Sequence, residues 1–347
     1  MAYRLLVSSY TDAIYTISFN AEARSVDLVS TTRVGHHPSW VTSHPDDASL
    51  VFTGLEQSEG VVLAIKFDDK GEGKVVGRVS SGGADPCSLL ATKDELFVAN
   101  YSTGSISTIP ISSEQPYFIA KSQKTVSFTG SGPNADRQKA PHAHQVYLHP
   151  ETNELLVPDL GSDKVWRFTK GDEGSWSIHD HISYGAGDGP RHVALYDNHI
   201  FTALELSNRV AKHQLPPPPV SATYVASAPT LSHPTPSPDM LVAEILIPPP
   251  NASYSTPYVY VSNRNDPSPG GDTIAIFTMD LELVAEVRTG LKHLRGMVFG
   301  GPDDKWLVAG GAIGGGIAVF ERVDGGKGLK KIAHNPNVDK PTGFLWM

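Results

Sequence analysis

Cysteine occurs once in the 347 residues, at Cys87, so no intrachain disulfide can form and stability has to come from packing. Lys and Arg number 28 against 37 Asp and Glu, giving a net charge of −9 with no basic block. Duplex nucleic acid and anionic membranes are bound through basic patches, so this balance argues against both as partners. No apolar run approaches the ~20 residues that span a bilayer. The opening stretch MAYRLLVSSYTD lacks the basic and apolar regions of a secretory signal. A reducing cytoplasm is the expected location. Charged residues make up only 19%, and the long Leu/Ala/Glu/Lys periodicity of a helical bundle is missing. HExxH, CxxC, GxSxG and the Walker lysine are absent too, so no metal, nucleophile or nucleotide motif is present and no cofactor is expected.

Turn formers, by contrast, are abundant. The 32 glycines and 27 prolines are together about 17% of the chain, against a usual ~12%. They punctuate a repeat. Short β-like runs ending in a small or polar residue read LLVSSY (5–10), VFTGLE (51–56), LFVANY (96–101) and LLVPDL (155–160). The series continues with FTALEL (201–206), VYVSNR (259–264) and LVAGG (307–311). Aligning them places Tyr10, Glu56, Tyr101, Leu160, Glu205, Arg264 and Gly311 at one equivalent position, 45 to 59 residues apart. A turn residue followed by a short apolar strand precedes most runs, as in HHPSWVTSHP (36–45), ADPCSLLA (84–91), APHAHQVYLHP (140–150) and GPRHVALY (189–196). An alternating strand follows, such as GVVLAIKF (60–67) or DTIAIFTM (272–279).

Four strands per unit of about 50 residues, repeated seven times, is the arithmetic of an all-β, seven-bladed β-propeller. The expected units are 38–85, 86–140, 141–189, 190–242, 243–294 and 295–340, with 341–347 joining 3–37. In that last unit the carboxy-terminal PTGFLWM would supply the innermost strand missing from the amino-terminal blade, closing the ring and removing a sheet edge. Residues 214–240 are a Pro-rich insertion, read as surface loop around one outer strand near 222–228. GGAIGGG (310–316) reads as an extended turn.

Propeller strands run antiparallel, so inner-strand starts and second-strand ends lie on one rim of the central channel. The first ring holds Trp40, Ser88, His142, His144, Arg191, His192, Glu244 and Arg295. The second holds Tyr10, Glu56, Tyr101, Asp159, Glu205, Asn263 and Arg264. Folding requires no charge at these positions, yet His, Arg and Glu concentrate there, the pattern of a ligand site. Each has a plain structural alternative. His144 is either a satisfied core imidazole or a general base. Arg191 and Arg264 are either blade-to-blade ion-pair partners or forked donors for an anion. Glu205 is either their neutralising partner or a functional acid. Asp159 and Asn263 read as turn stabilisers.

The stretch GSGPNADRQKAPHAHQVYLHPETNELLVPDLGSDKV (130–165) resembles the lactonase family of seven-bladed propellers. That family comprises bacterial-type 6-phosphogluconolactonases and fungal 3-carboxy-cis,cis-muconate lactonising enzymes. GPRHVAL (189–195), ALELSNRV (203–210), VAEI (242–245) and VYVSNR (259–264) extend the resemblance over the whole chain. It implies catalytic roles for His144, Arg191, Glu205 and Arg264. Arg137 and Gln138 match the family's RQ pair and Glu244 its AEI glutamate, and with His142, Tyr101 and Glu56 they are expected to contact substrate. No metal ligand is expected.

Three readings follow. The first is a metal-independent lactonase hydrolysing a sugar-derived lactone, with or without a phosphate, through base-activated water and arginine stabilisation of the oxyanion. The second is a carboxymuconate-type cycloisomerase using the same groups. The third is a non-catalytic propeller scaffold. A small anionic or sugar-lactone partner suits an acidic chain that gathers arginines at one channel mouth.

Overall fold

The computed structural model describes residues 2–119, 123–172, 174–233 and 237–347. Their strands, numbered β1 to β28 in chain order, form seven four-stranded antiparallel sheets. Blades one to six run from inner to outer strand over 38–80, 86–127, 147–183, 190–229, 241–288 and 292–335. The seventh pairs β28 (Pro341–Trp346) with β1 (Ala2–Ser9), then β2 (Ala13–Asn20) and β3 (Ser25–Arg33). The chain is a seven-bladed β-propeller, and the two ends of the sequence share its closing blade. Blades five and six begin at Leu241 and Lys292, a little before the expected starts at 243 and 295. No helix among the described residues is long and apolar enough to cross a membrane.

Strand composition follows position within a blade. The third strand of blade one, Val61–Phe67, reads VVLAIKF and is buried almost throughout, because neighbouring blades cover both its faces. The outer strand Gly73–Ser80 reads GKVVGRVS and is largely exposed or half-buried. Buried apolar residues divide into seven clusters, one at each interface between adjacent blades. Phe97, Val157 and Phe168, for example, join blades two and three. Truncating one such phenylalanine to alanine costs about 3–5 kcal/mol.

Three local expectations need revision. The segment carrying His142 and His144 is not a continuous inner strand, since β12 is only Tyr147–Leu148. Pro141 offers no N–H to a ladder. An isolated Ala143–Asp159 bridge and the His144 N–H to Pro158 carbonyl bond at 2.9 Å hold this stretch instead. GGAIGGG is a tight hairpin rather than an extended turn: β25 (Trp306–Gly314) and β26 (Gly316–Val323) meet at Gly315, whose φ is 86°.

The Pro-rich insertion is more ordered than a surface loop. It supplies the outer strand of blade four, β19 (Thr223–Pro229), and residues 215–222 are fastened to blade three. Arg167, fully buried in β14 (Lys164–Lys170), donates to the carbonyls of Pro216 at 3.0 Å and Val220 at 2.8 Å. Its remaining donors grip Glu154 in a bidentate pair. Residues 234–236 of the insertion lie outside the described residues.

Candidate active site

Two turns set the site's geometry. A Cβ on Gly161 would lie 1.9 Å from the Ala140 carbonyl oxygen, so only glycine lets the turn after β13 (Leu155–Asp159) pack against the His142 segment. Asp159 completes this support by accepting the main-chain N–H groups of His142 at 2.7 Å and Gly161 at 3.1 Å. Gly189, with φ 64°, turns the chain into β16 (Pro190–Tyr196), which carries Arg191 and His192.

At one mouth of the channel lies a cavity of about 360 Å³, lined by Tyr101, Arg137, His144, Glu205, Arg264 and Arg295, with Glu56, Asp85, Cys87 and Ser102 completing the wall. Glu205, directly after β17 (His199–Leu204), is its electrostatic centre. Its Oε1 accepts Arg137 Nη2 at 2.6 Å. Its Oε2 pairs with Arg191 Nε at 3.0 Å and Arg264 Nη2 at 2.8 Å. The last two are ion pairs held off the N–H axis, so Arg191 Nε makes no aligned hydrogen bond. Burial opposes ionisation of Glu205, but Arg264, Arg191 and Arg137 together outweigh it and hold the carboxyl at about 2. A group this acidic cannot donate a proton near neutrality, and the geometry gives it the task of holding the arginines.

The cations are not used up by Glu205. Arg264, at the end of β21 (Val259–Arg264), keeps Nε and Nη1 buried without partners. Burial, together with Arg295, Arg191 and Arg137, lowers it to about 9 despite the opposing pull of Glu205. Arg295, from β24 (Lys292–Gly300), sits 5.0 Å over the Tyr10 ring. Among the described residues no hydrogen bond or ion pair engages its guanidinium. Glu56 faces it, and burial pushes that carboxyl toward its neutral form against the pull of Arg295. Four arginines thus surround one firmly ionised carboxylate, and the surplus is positive.

His144 is the one imidazole in the cavity wall. Burial, reinforced by Arg191, His192, Arg295 and Arg264, holds it well below its ordinary value, so it is neutral near pH 7. Its ring meets Tyr101 edge-on at 5.5 Å. His142 stacks on the other side of Tyr101 at 4.4 Å and bonds the Tyr101 carbonyl through Nδ1 at 3.0 Å. Cys87 offers no nucleophile, because burial pushes its thiol up and Sγ donates to the carbonyls of Ala143 and His144 with no activating base among the described hydrogen bonds.

The structure therefore brings His144, Arg191, Glu205, Arg264, Arg137, Tyr101 and Glu56 together, with His142 behind Tyr101. Two expected substrate contacts lie elsewhere. Gln138 is fully buried in its loop, donating to the Leu160 carbonyl at 2.9 Å and Asp163 at 2.8 Å while accepting the Asn134 N–H. Glu244 faces a second cavity of about 310 Å³ along the channel, where it meets His192 Nδ1 at 2.6 Å. Arg295 belongs in the site although the sequence placed it only on a ring. Its one signal was a ring position holding a charge.

Residues 4–346 match the family described as lactonase, 7-bladed beta-propeller. The 6-phosphogluconolactonase of Bacillus subtilis (strain 168) is 26% identical over 91% of this chain and 90% of its own. A 6-phosphogluconolactonase of Formosa agariphila is 26% identical over 94% of this chain and 95% of its own. The periplasmic gluconolactonase of Pseudomonas aeruginosa shares the fold, with a TM-score of 0.83 at 21% identity over 100% of this chain and 99% of its own. With its seven closed blades and a match spanning nearly every residue, the chain belongs to the lactonase family of seven-bladed β-propellers.

Proposed function

We propose that the protein hydrolyses an anionic, sugar-derived lactone, with 6-phosphogluconolactone as the first candidate. The observation that carries this reading is the pairing of a neutral buried imidazole with unfilled arginine donors in one cavity. His144 takes a proton from water, and the hydroxide formed attacks the lactone carbonyl. The tetrahedral oxyanion finds Arg264, whose Nε and Nη1 lack partners, with Arg191 beside it. One such donor is worth about 3–4 kcal/mol in the transition state. Collapse breaks the ring C–O bond, and the leaving alkoxide recovers the proton from His144. Lactone and water give the hydroxy acid, with no residue left altered.

Arg295 suits the substrate's distal anionic group, since among the described residues no hydrogen bond or ion pair engages its guanidinium, which lies over the Tyr10 ring. The names of the Bacillus and Formosa relatives support a phosphorylated substrate, and that of the Pseudomonas protein supports testing gluconolactone beside it.

A pH-stat assay of acid release above the spontaneous rate, on both lactones and with a chelator present, tests the reading. His144→Gln should lower turnover about 10²–10⁴-fold. Full activity in that variant would overturn the mechanism. No acid release from either lactone, with loss of the diene absorbance of carboxymuconate, would assign cycloisomerisation to the same groups.

A further inference from the structure

Glu244 and His192 stand behind His144, on the side away from the cavity, and their hydrogen bonds determine which of its nitrogens is free. Glu244 Oε1 accepts the Ile245 N–H at 3.0 Å and contacts His192 Nδ1 at 2.6 Å. An oxygen already accepting a main-chain N–H leaves Nδ1 of His192 as the donor, which makes His192 Nε2 a bare lone pair. That Nε2 is buried and has no partner. The His192 ring lies 5.1 Å from the His144 ring, edge to face, and His144 Nδ1 is likewise buried with no partner. One orphan needs a donor and the other is able to supply it. At 5.1 Å between ring centres a rotation of either ring would join them and satisfy both groups.

We infer that Glu244 and His192 are positioning residues that hold His144 in its Nδ1–H form, leaving the Nε2 lone pair toward the cavity. The Glu–His–His series does for His144 what the carboxylate of a hydrolytic triad does for its histidine. It gives Glu244 a role although it faces the channel cavity rather than the active-site cavity. Trp40 packs edge-on against His192 at 5.7 Å.

The groups facing His144 are Arg191, Arg264, Arg295, Tyr101 and His192, and those facing His192 are Glu244, Arg191, Arg295 and His144. None of the arginines can accept a proton from either ring, and the carboxylates of Glu205, Glu56 and Asp85 lie on the cavity side, so behind His144 the acceptor that sets the tautomer is the Glu244 carboxylate.

Nitrogen-15 NMR of ring-labelled protein reads the tautomer directly, without substrate. The expected result is Nδ1–H for His144 in the wild type and a shift toward Nε2–H, the form an unconstrained imidazole favours, in His192→Phe. Glu244→Leu provides a second variant should the first fail to fold, and Glu244→Gln, whose amide oxygen still accepts the Nδ1–H of His192, should keep the wild-type signals. The kinetic arm rests on the lactonase reading: kcat should fall about 10²-fold in His192→Phe, with KM within threefold. Nε2–H in the wild type, or an unchanged tautomer and kcat in both His192→Phe and Glu244→Leu, would overturn the inference. If the wild type opens no lactone, the lactonase reading fails while the NMR result still decides this one.

Discussion

Arg264 spends one guanidinium nitrogen on Glu205, Nη2 at 2.8 Å from Oε2, and leaves Nε and Nη1 buried without partners. Glu205 thereby anchors a cation whose other donors await a ligand. Glu205→Gln should lower kcat/KM at least 100-fold and also destabilise the fold by about 3–5 kcal/mol, because three buried or half-buried arginines lose their counter-charge. Urea unfolding beside steady-state kinetics checks both. A variant of unchanged stability would show that the arginines are held by other contacts.

The pH dependence has a defined sign. His144 lies well below 6.5 in the fold, so it is already a base at neutrality and kcat/KM should be flat from pH 6.5 upward toward 9. Its folded value is depressed, so its contribution to stability is complete above 6.5 and is lost as pH falls below that. Glu205 behaves likewise lower down, with stability present above 4.5 and lost as pH falls toward 2. Burial and the neighbouring arginines lower Arg264, but a guanidinium paired with Glu205 stays charged throughout the working range. Inhibition by the aldonate product should therefore be independent of pH, read from inhibition constants between pH 7 and 10. Inhibition that fades across that range would show that a group other than an arginine holds the anion.

Arg295 lies over Tyr10 and makes no polar contact with the protein among the described residues. Arg295→Gln should therefore leave the melting temperature unchanged or raised. It should increase KM for 6-phosphogluconolactone about 10–100-fold, the worth of a charge-assisted contact, and spare gluconolactone. Equal effects on the two lactones would mean that Arg295 shapes the cavity rather than reading the phosphate.

Blade three offers a control remote from chemistry. Arg167→Met leaves Glu154, only 1% exposed, facing His179 at 2.9 Å with no arginine and frees the carbonyls of Pro216 and Val220. The expected cost is about 3–5 kcal/mol. Hydrogen exchange should quicken over 220–222, the residues beyond the proline run that carry an N–H, with kcat/KM within twofold of wild type. Slow exchange there would show that the Pro-rich segment is held by something else.

The blade repeat was legible because each strand end needs a turn former and each inner strand needs apolar residues on both faces. The site was legible as positions, since charge at a ring serves no structural purpose. Direction was harder to read. Arg191 sits at a register shift between Pro190 and His192 at the start of β16, and the two side chains part there: His192 meets Glu244 along the channel while Arg191 reaches Glu205. Arg137 and Gln138, in a turn, also diverge, one entering the cavity and the other tying its own loop to Asp163. The extra role of His192 was invisible, because it depends on which buried nitrogens lack partners.

The pairing of β28 with β1 also imposes an order in time. Strand β1 leaves the ribosome long before its inner neighbour, Pro341–Trp346. At ordinary synthesis rates the gap is on the order of tens of seconds. Throughout it, the Leu5–Val7 edge has no strand to bond and the last blade interface stays open. The nascent chain must shelter that edge, and a pause anywhere between the two strands lengthens the exposure by its full duration.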